Sequence, residues 1–94
     1  MPGMPRVRKR SKPKWRSAAR AEPLAGQAIR KLGNQIRSLR ETKDLSQQKL
    51  AESASISVSH VSDLENGNTN PTVATLACVA RALGVQVRDL FDYR

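Results

Sequence analysis

The sequence predicts an all-α fold of five short helices. Apolar residues recur at steps of three and four, the spacing of one helical face, and no segment alternates as a half-buried strand would. Serine, threonine or proline precedes these runs, and glycine or asparagine follows several of them, as expected at helix ends. Because 94 residues suffice for only one small domain, the helices must share a single core.

The first predicted helix begins at Pro23, which suits a first helical turn, and ends near Lys43. Gly26 and Gly33 each disfavour a helix by up to about 1 kcal/mol, so the pattern indicates a helix mainly from Leu32 onward. Its apolar face is expected to consist of Leu24, Ala28, Leu32, Ile36 and Leu39.

Two short helices come next. Ser46 is a good N-cap for a helix over residues 47–53, and Ser57 for a third helix, which ends at Asn66 and Gly67. These two helices are joined by three residues only, so they must cross steeply and leave the third helix exposed along its length. An exposed helix of this kind fits the major groove of B-DNA, which is about 12 Å wide.

Two further helices complete the pattern. Thr72 is the expected N-cap of the fourth helix, and Gly84 ends it. A final helix over about residues 87–91 is expected to bring Leu90 and Phe91 back onto the core.

The charge of the chain is divided unevenly along its length. The net charge is +9, and residues 1–31 carry all of it, with ten Lys and Arg against Glu22. Residues 32–94 hold seven basic and seven acidic residues and are neutral. We therefore expect residues 1–22 to form a basic arm, disordered or partly helical, that seeks a polyanion, and residues 23–94 to form the domain.

Several classes of function are disfavoured by composition. No apolar stretch approaches a membrane span and the N-terminus lacks the features of a secretory signal, so a cytoplasmic protein is expected. Cys78 and His60 are the only residues of their kinds, which is too few for a zinc centre or a catalytic triad. We expect neither an enzyme nor a cofactor.

Six spaced motifs over about residues 32–91 resemble the XRE family, the lambda and 434 repressor-like helix-turn-helix regulators. They are Ser46-Gln47-x-x-Leu50-Ala51, Ile56-Ser57, Val61-x-x-Leu64-Glu65-Asn66-Gly67, Asn70-Pro71-x-x-x-x-Leu76, Ala80-x-x-Leu83-Gly84-Val85 and Leu90-Phe91. The resemblance implies a lambda-repressor-like domain that binds double-stranded DNA as a homodimer and regulates transcription. Ser55 departs from the family, which usually has glycine there, and if that position requires a left-handed backbone, Ser55 adopts it at a cost of about 1 kcal/mol.

The resemblance also implies roles for particular residues. It places a structural ion pair between Arg40 and Glu65. The residues expected to face the bases are Ser57, Val58, Ser59, Ser62 and Asp63. Those expected to contact phosphates are Gln47, Asn66, Asn68 and Thr69. Those expected at the dimer contact are Val85, Val87, Leu90 and Phe91.

Other interpretations of the same features stay open. The polar face of the third helix could be a solvated surface, and Gln47 a simple helix-start residue. Arg8, Lys9 and Arg10 of the arm could bind phosphates or a minor groove, or the arm could be a solubilising tail or a remnant of cloning. The chain as a whole could be an antitoxin-type or co-activator-type interaction module with autoregulatory or nonspecific DNA binding.

Overall fold

The computed structural model describes residues 22–92, and side chains from residue 24 onward. The arm, with Arg8, Lys9 and Arg10, therefore lies outside the described residues. The described part is all-helical and contains no strand. Its elements are α1 (Glu22–Thr42), α2 (Gln47–Ala54), α3 (Val58–Glu65), α4 (Val73–Leu83) and a 3-10 helix, η1 (Val87–Phe91). Four α-helices and one 3-10 helix thus replace the five helices expected within this range.

The three predicted N-caps of α2, α3 and α4 are confirmed. The hydroxyl oxygens of Ser46 and Ser57 each accept a hydrogen bond of 3.0 Å from the backbone N–H three residues later. Thr72 accepts the equivalent bond at 3.1 Å. Each hydroxyl satisfies one of the backbone donors that the first turn of a helix leaves without a partner, and so sets where the helix begins.

Helix α1 runs through both glycines for 21 residues, which is close to the full span predicted from Pro23 to Lys43 and not only the part from Leu32 onward. A β-carbon at Gly33 would lie 2.4 Å from the carbonyl oxygen of Leu64 and 2.7 Å from that of Glu65. Gly33 therefore does not end the helix. It lets the last turn of α3 approach the backbone of α1 more closely than any side chain would allow.

The expected apolar face of α1 is wrong at its beginning. Leu24 is 71% exposed and Ala28 is also exposed, whereas Ile29 is buried. The buried face runs from Ile29 through Leu32 to Ile36, steps of three and four that a helix equally allows. Periodicity alone could not choose between the two faces at this end of α1, because small or apolar residues lie on both faces.

The core lies where α1 and α2 meet α3 and α4. Its fully or nearly buried members are Leu32, Ile36, Leu50, Ala51, Ala54, Val61, Leu64, Leu76, Val79, Ala80, Leu83 and Leu90. Helix α3 packs against both α1 and α2, while α4 packs against α2 and η1. Leu90 is buried as predicted, but Phe91 is 47% exposed and does not join the core. No helix within the described range is long and apolar enough to cross a membrane.

The turn between α2 and α3 depends on one left-handed residue. Ser55 has φ +60°, so this position does require the left-handed backbone, and the N–H of Ile56 closes the turn by donating to the carbonyl of Ala51 at 3.0 Å. Asp44, between α1 and α2, has φ +57°, which the sequence analysis missed. Asp tolerates this conformation better than most residues, so its presence in a turn was the available signal.

Replacing Ser55 with glycine is expected to stabilise the protein. Glycine adopts the left-handed backbone without strain, so Ser55→Gly should raise the free energy of unfolding by up to about 1 kcal/mol in urea denaturation. Ser53→Gly is the matched control. Ser53 is an exposed residue inside α2, and glycine there should lower the free energy of unfolding by up to about 1 kcal/mol. Equal effects of the two changes would contradict the assignment of strain to Ser55.

Candidate nucleic-acid interface

Helix α3 has one buried and one open side. Val61, Leu64 and Glu65 face the core, and Glu65 is the only buried charged residue among those described. The opposite side forms what we call the outer face of α3, which consists of Ser57, Val58, Ser59, Ser62 and Asp63. All of these are exposed except Ser62, which is half-buried. The structure therefore brings the five predicted base-facing residues to one open surface.

The outer face of α3 offers limited base-reading chemistry. Val58 is 43% exposed and can pack against a thymine methyl group. The serines can donate to or accept from several base edges, and Asp63 can accept from a cytosine amino group. None of these is the Arg, Asn or Gln that makes a bidentate contact with a purine. The only charge on this face is the negative charge of Asp63.

The carboxylate of Glu65 lies at the junction of α1, α2 and α3. Arg40 Nε donates to Glu65 Oε2 at 2.6 Å and Arg40 Nη2 donates to Oε1 at 3.1 Å. Gln47 Nε2 donates to Oε1 at 3.0 Å, and Arg37 Nε lies 3.4 Å from the same oxygen. The side chain of Glu65 is fully buried. We call Arg37, Arg40, Gln47 and Glu65 the Glu65 cluster.

The ion pair expected between Arg40 and Glu65 is therefore present, and two more partners join it. Arg37 was not singled out by the sequence analysis. Its position three residues before Arg40, on the same face of α1, was the signal that could have found it. The side chain of Arg37 is 41% exposed, against 12% for Arg40. Arg37 therefore contacts Glu65 from the surface, whereas Arg40 contacts it from a largely buried position.

The surroundings of Glu65 keep it ionised. Burial raises the pKa of its carboxyl group, but the hydrogen bond from Arg40 opposes this, aided by those from Gln47 and Arg37 and by the charge of Arg40. The net effect places the pKa of Glu65 below its ordinary value. The hydrogen bond to Glu65 in turn raises the pKa of the Arg40 guanidinium, against the opposing effect of burial.

Gln47 is the first residue of α2, as predicted, and is half-buried. Its side-chain amide donates to Glu65 at the end of α3, so it links the beginning of α2 to the end of α3. The phosphate contact of Gln47 stays a prediction.

The first residues of the loop after α3 are hydrogen-bonded to both α1 and α3. Asn66 Oδ1 accepts a hydrogen bond of 2.9 Å from Arg37 Nη2, and the backbone N–H of Asn68 donates to the carbonyl of Asp63 at 2.8 Å. Asn68 is exposed and Thr69 is half-buried. The three predicted phosphate-contacting residues of this loop thus lie next to one another beside the outer face of α3, and the loop itself, residues 66–70, is uncharged.

The proposed dimer residues do not all lie on an open surface. Leu90 is fully buried in the core of its own chain, so the expectation that it contacts a partner is wrong. Val85 and Val87 are half-buried and pack against the core. Phe91, at 47% exposure, is the member of this set that presents a large apolar surface.

Within the described range, no three His, Cys, Asp or Glu residues come together in a way that could hold a metal ion. The thiol-bearing Cys78 on α4 is half-buried and free.

Comparison with known proteins identifies the class. The model of the helix-turn-helix family matches residues 36–90, more than half of the chain. This chain belongs to the helix-turn-helix family, as its resemblance to the XRE regulators predicted.

Particular relatives and solved structures agree with this class. The chain is 42% identical over 62 residues to the HTH-type transcriptional regulator DdrOP3 of Deinococcus deserti, covering 66% of this chain and 48% of that relative. It is 43% identical over 56 residues to the immunity repressor protein of Bacillus phage phi105, covering 60% of this chain and 39% of the relative. The chain thus spans less than half of either relative.

A solved structure is matched over almost its whole length. The crystal structure of the restriction-modification controller protein C.AhdI from Aeromonas hydrophila is 35% identical to this chain, with a TM-score of 0.66. The match covers 67% of this chain and 96% of that one.

Removing the charge of Glu65 should destabilise the fold at neutral pH. Glu65→Gln leaves Arg40 partly buried without its carboxylate, which we expect to cost about 3 kcal/mol at pH 7. The pKa of Glu65 is lower in the folded protein than its value of about 4.3 in the unfolded chain. The stability that ionised Glu65 contributes is therefore complete above the pKa of the unfolded chain. It is lost as the pH falls through the lower pKa of the folded protein.

Urea denaturation measured from pH 7 down to about pH 3 checks this expectation. The difference between the wild type and Glu65→Gln should narrow as the pH falls, because protonation removes from the wild type the charge that the variant already lacks. Glu52→Gln is the control. Glu52 is exposed on α2, and its replacement should change the free energy of unfolding by no more than about 0.5 kcal/mol. A pH-independent difference for Glu65→Gln would contradict the assigned role.

Proposed function

We propose that this chain is a sequence-specific regulator of transcription that binds double-stranded DNA with the outer face of α3 in the major groove. The observation that carries the proposal is the geometry of α3. Its inner side is held against α1 and α2 by the core and the Glu65 cluster, while its outer face and the following loop are open. A helix fixed in this way presents side chains to base edges in a defined orientation.

The regulator acts as a homodimer on a roughly palindromic operator. One α3 helix reaches few base pairs, and two such helices about 34 Å apart would match successive major grooves. Phe91, with Val85 and Val87, supports a contact between two copies near η1, because Phe91 is a large apolar residue exposed in a single chain. The names of the similar proteins, an immunity repressor and a restriction-modification controller, favour a repressor or controller. The cytoplasm is the expected location from composition alone.

The basic arm contributes to DNA affinity and not to sequence specificity. Residues 1–22, including Arg8, Lys9 and Arg10, carry +7 of the net charge of +9, whereas the domain over residues 23–94 carries only +2. Contacts from such an arm to phosphates or to a minor groove release counterions, so they strengthen binding and make it more sensitive to salt.

Selection of bound DNA from a genomic library tests the proposal. At moderate salt, sequencing of the bound fragments should yield a palindromic motif with half-sites about 10 base pairs apart. Absence of any enriched motif would sink the proposal and favour an antitoxin-type or co-activator-type interaction module. An enriched motif without two-fold symmetry would reject the homodimer alone.

Two matched serine variants test the orientation of α3. Ser59 lies on the outer face of α3, and Ser53 is an exposed serine on α2. Ser59→Ala should relax the preference at one position of each half-site by about 1 kcal/mol, whereas Ser53→Ala should leave the motif unchanged. Competition binding with single-base operator variants measures both. If Ser53→Ala alters the preference and Ser59→Ala does not, α3 is not the recognition helix.

Removal of residues 1–21 tests the arm. The shortened chain should select the same motif, with weaker binding and a shallower dependence of log K on log salt, because fewer phosphates are neutralised. Circular dichroism of the shortened chain provides the control for folding. An unchanged salt slope would show that the arm does not touch DNA.

A further inference from the structure

We infer that Arg30 and Arg37 of α1 bind DNA backbone phosphates beside α3 and supply the positive charge that the recognition surface itself lacks. This inference rests on the proposed function and assigns part of the phosphate contact to a helix that was not expected to touch DNA. The ligand chemistry is the phosphodiester of a DNA strand.

The first argument is the distribution of charge around α3. The outer face of α3 carries only the negative charge of Asp63, and the loop over residues 66–70 carries no charge. A surface with this balance does not attract a polyanion by itself. The cations that attract DNA must therefore come from the arm or from an element next to α3, and α1 packs directly against α3.

The second argument is the excess charge of the Glu65 cluster. Two guanidinium groups, those of Arg37 and Arg40, share one carboxylate, so the cluster keeps one net positive charge. Arg40 makes the close bidentate contact and is nearly buried, whereas Arg37 lies 3.4 Å from the carboxylate and its side chain is 41% exposed. The uncompensated charge is therefore placed on Arg37, at the surface.

The third argument is where the guanidinium of Arg37 points. Its Nη2 donates to Oδ1 of Asn66 at 2.9 Å, so the group lies against the first residue of the loop that follows α3. Asn66 is one of the residues predicted to contact phosphate. A phosphate held by the Asn66 amide would be within reach of the exposed side of Arg37, which has further N–H donors in a planar fork suited to phosphate oxygens.

Arg30 occupies the same stripe of α1, seven residues earlier. A β-carbon at Gly67 would lie 3.1 Å from Cγ of Arg30, so the stem of Arg30 covers the loop at Gly67. Arg30 is exposed. Two turns of helix separate Arg30 from Arg37 by about 10 Å, which is enough to reach different phosphates of one strand. Gly33, between them, brings α1 close enough to α3 for both arginines to flank the loop.

The alternative is that Arg30 and Arg37 have only a structural role, and the experiment must distinguish this role from phosphate binding. Arginines near the last turn of α3 would also stabilise its carbonyl end and the Glu65 carboxylate, without touching DNA. Such a role predicts loss of stability when either arginine is replaced. It predicts no change in the number of phosphates neutralised.

The experiment compares matched arginine-to-glutamine variants of the full chain on the selected operator. Arg30→Gln and Arg37→Gln are set against Arg81→Gln, which removes an exposed arginine from α4. Affinity is measured from about 0.05 to 0.2 M salt, and thermal unfolding of each variant is recorded in parallel. Arg37→Lys keeps the charge but loses the fork that joins Glu65 and Asn66.

We expect Arg30→Gln and Arg37→Gln each to lower the slope of log K against log salt by about one and to weaken binding about eightfold at 0.1 M salt. The Arg81 variant should keep the wild-type slope, and Arg37→Lys should keep most of it. A wild-type slope in both Arg30→Gln and Arg37→Gln, even with reduced thermal stability, would overturn the inference.

Failure of the proposed function is visible separately, as the absence of an enriched motif for the wild type. In that case the same variants are compared on a duplex of random sequence. Backbone contacts do not depend on sequence, so a reduced slope for the two α1 variants still supports the inference and an unchanged slope still overturns it.

Discussion

A carboxylate that is withdrawn from water must be compensated inside the protein, and in this domain that requirement joins three helices. Glu65, at the end of α3, accepts hydrogen bonds from Arg40 of α1 and from Gln47 at the beginning of α2. These contacts must be maintained in the folded protein, because a buried charge without a partner costs several kcal/mol. The cluster thus fixes the orientation of α3 against α1 and α2, and the core alone would allow more freedom since apolar contacts are not directional.

The same cluster connects stability with the proposed recognition of DNA. Because one carboxylate serves two arginines, the group that holds α3 in place also leaves a positive charge at the surface, on Arg37 beside Asn66. The outer face of α3 can then consist of serines, a valine and an aspartate without any cation of its own. In the proposed function, affinity and sequence preference are divided among three parts of the chain: the arm, Arg30 and Arg37 of α1, and the outer face of α3.

Much of the fold was predictable because its signals are local. The caps Ser46, Ser57 and Thr72 were recognised from residue type, since a hydroxyl that accepts from the third N–H works in any helix. The errors came from interactions between distant segments. Gly33 was interpreted as a weak point of α1, because its partner, the carbonyl of Leu64, is 31 positions further along the chain. Leu90 was assigned to a dimer contact, although the core of its own chain encloses it.

By itself, the sequence determined the all-helical class, the residues at which three helices begin, the concentration of positive charge in residues 1–31 and the membership of the helix-turn-helix family. Each of these features depends on residue spacing, local hydrogen bonding or summed charge, and these properties are set by residues close together in the sequence. Only the tertiary structure decided which apolar stripe of α1 is buried, that Arg37 joins Arg40 at one carboxylate, and that Phe91 but not Leu90 is exposed. These are matters of how helices pack, and packing is decided by contacts between residues far apart in the chain.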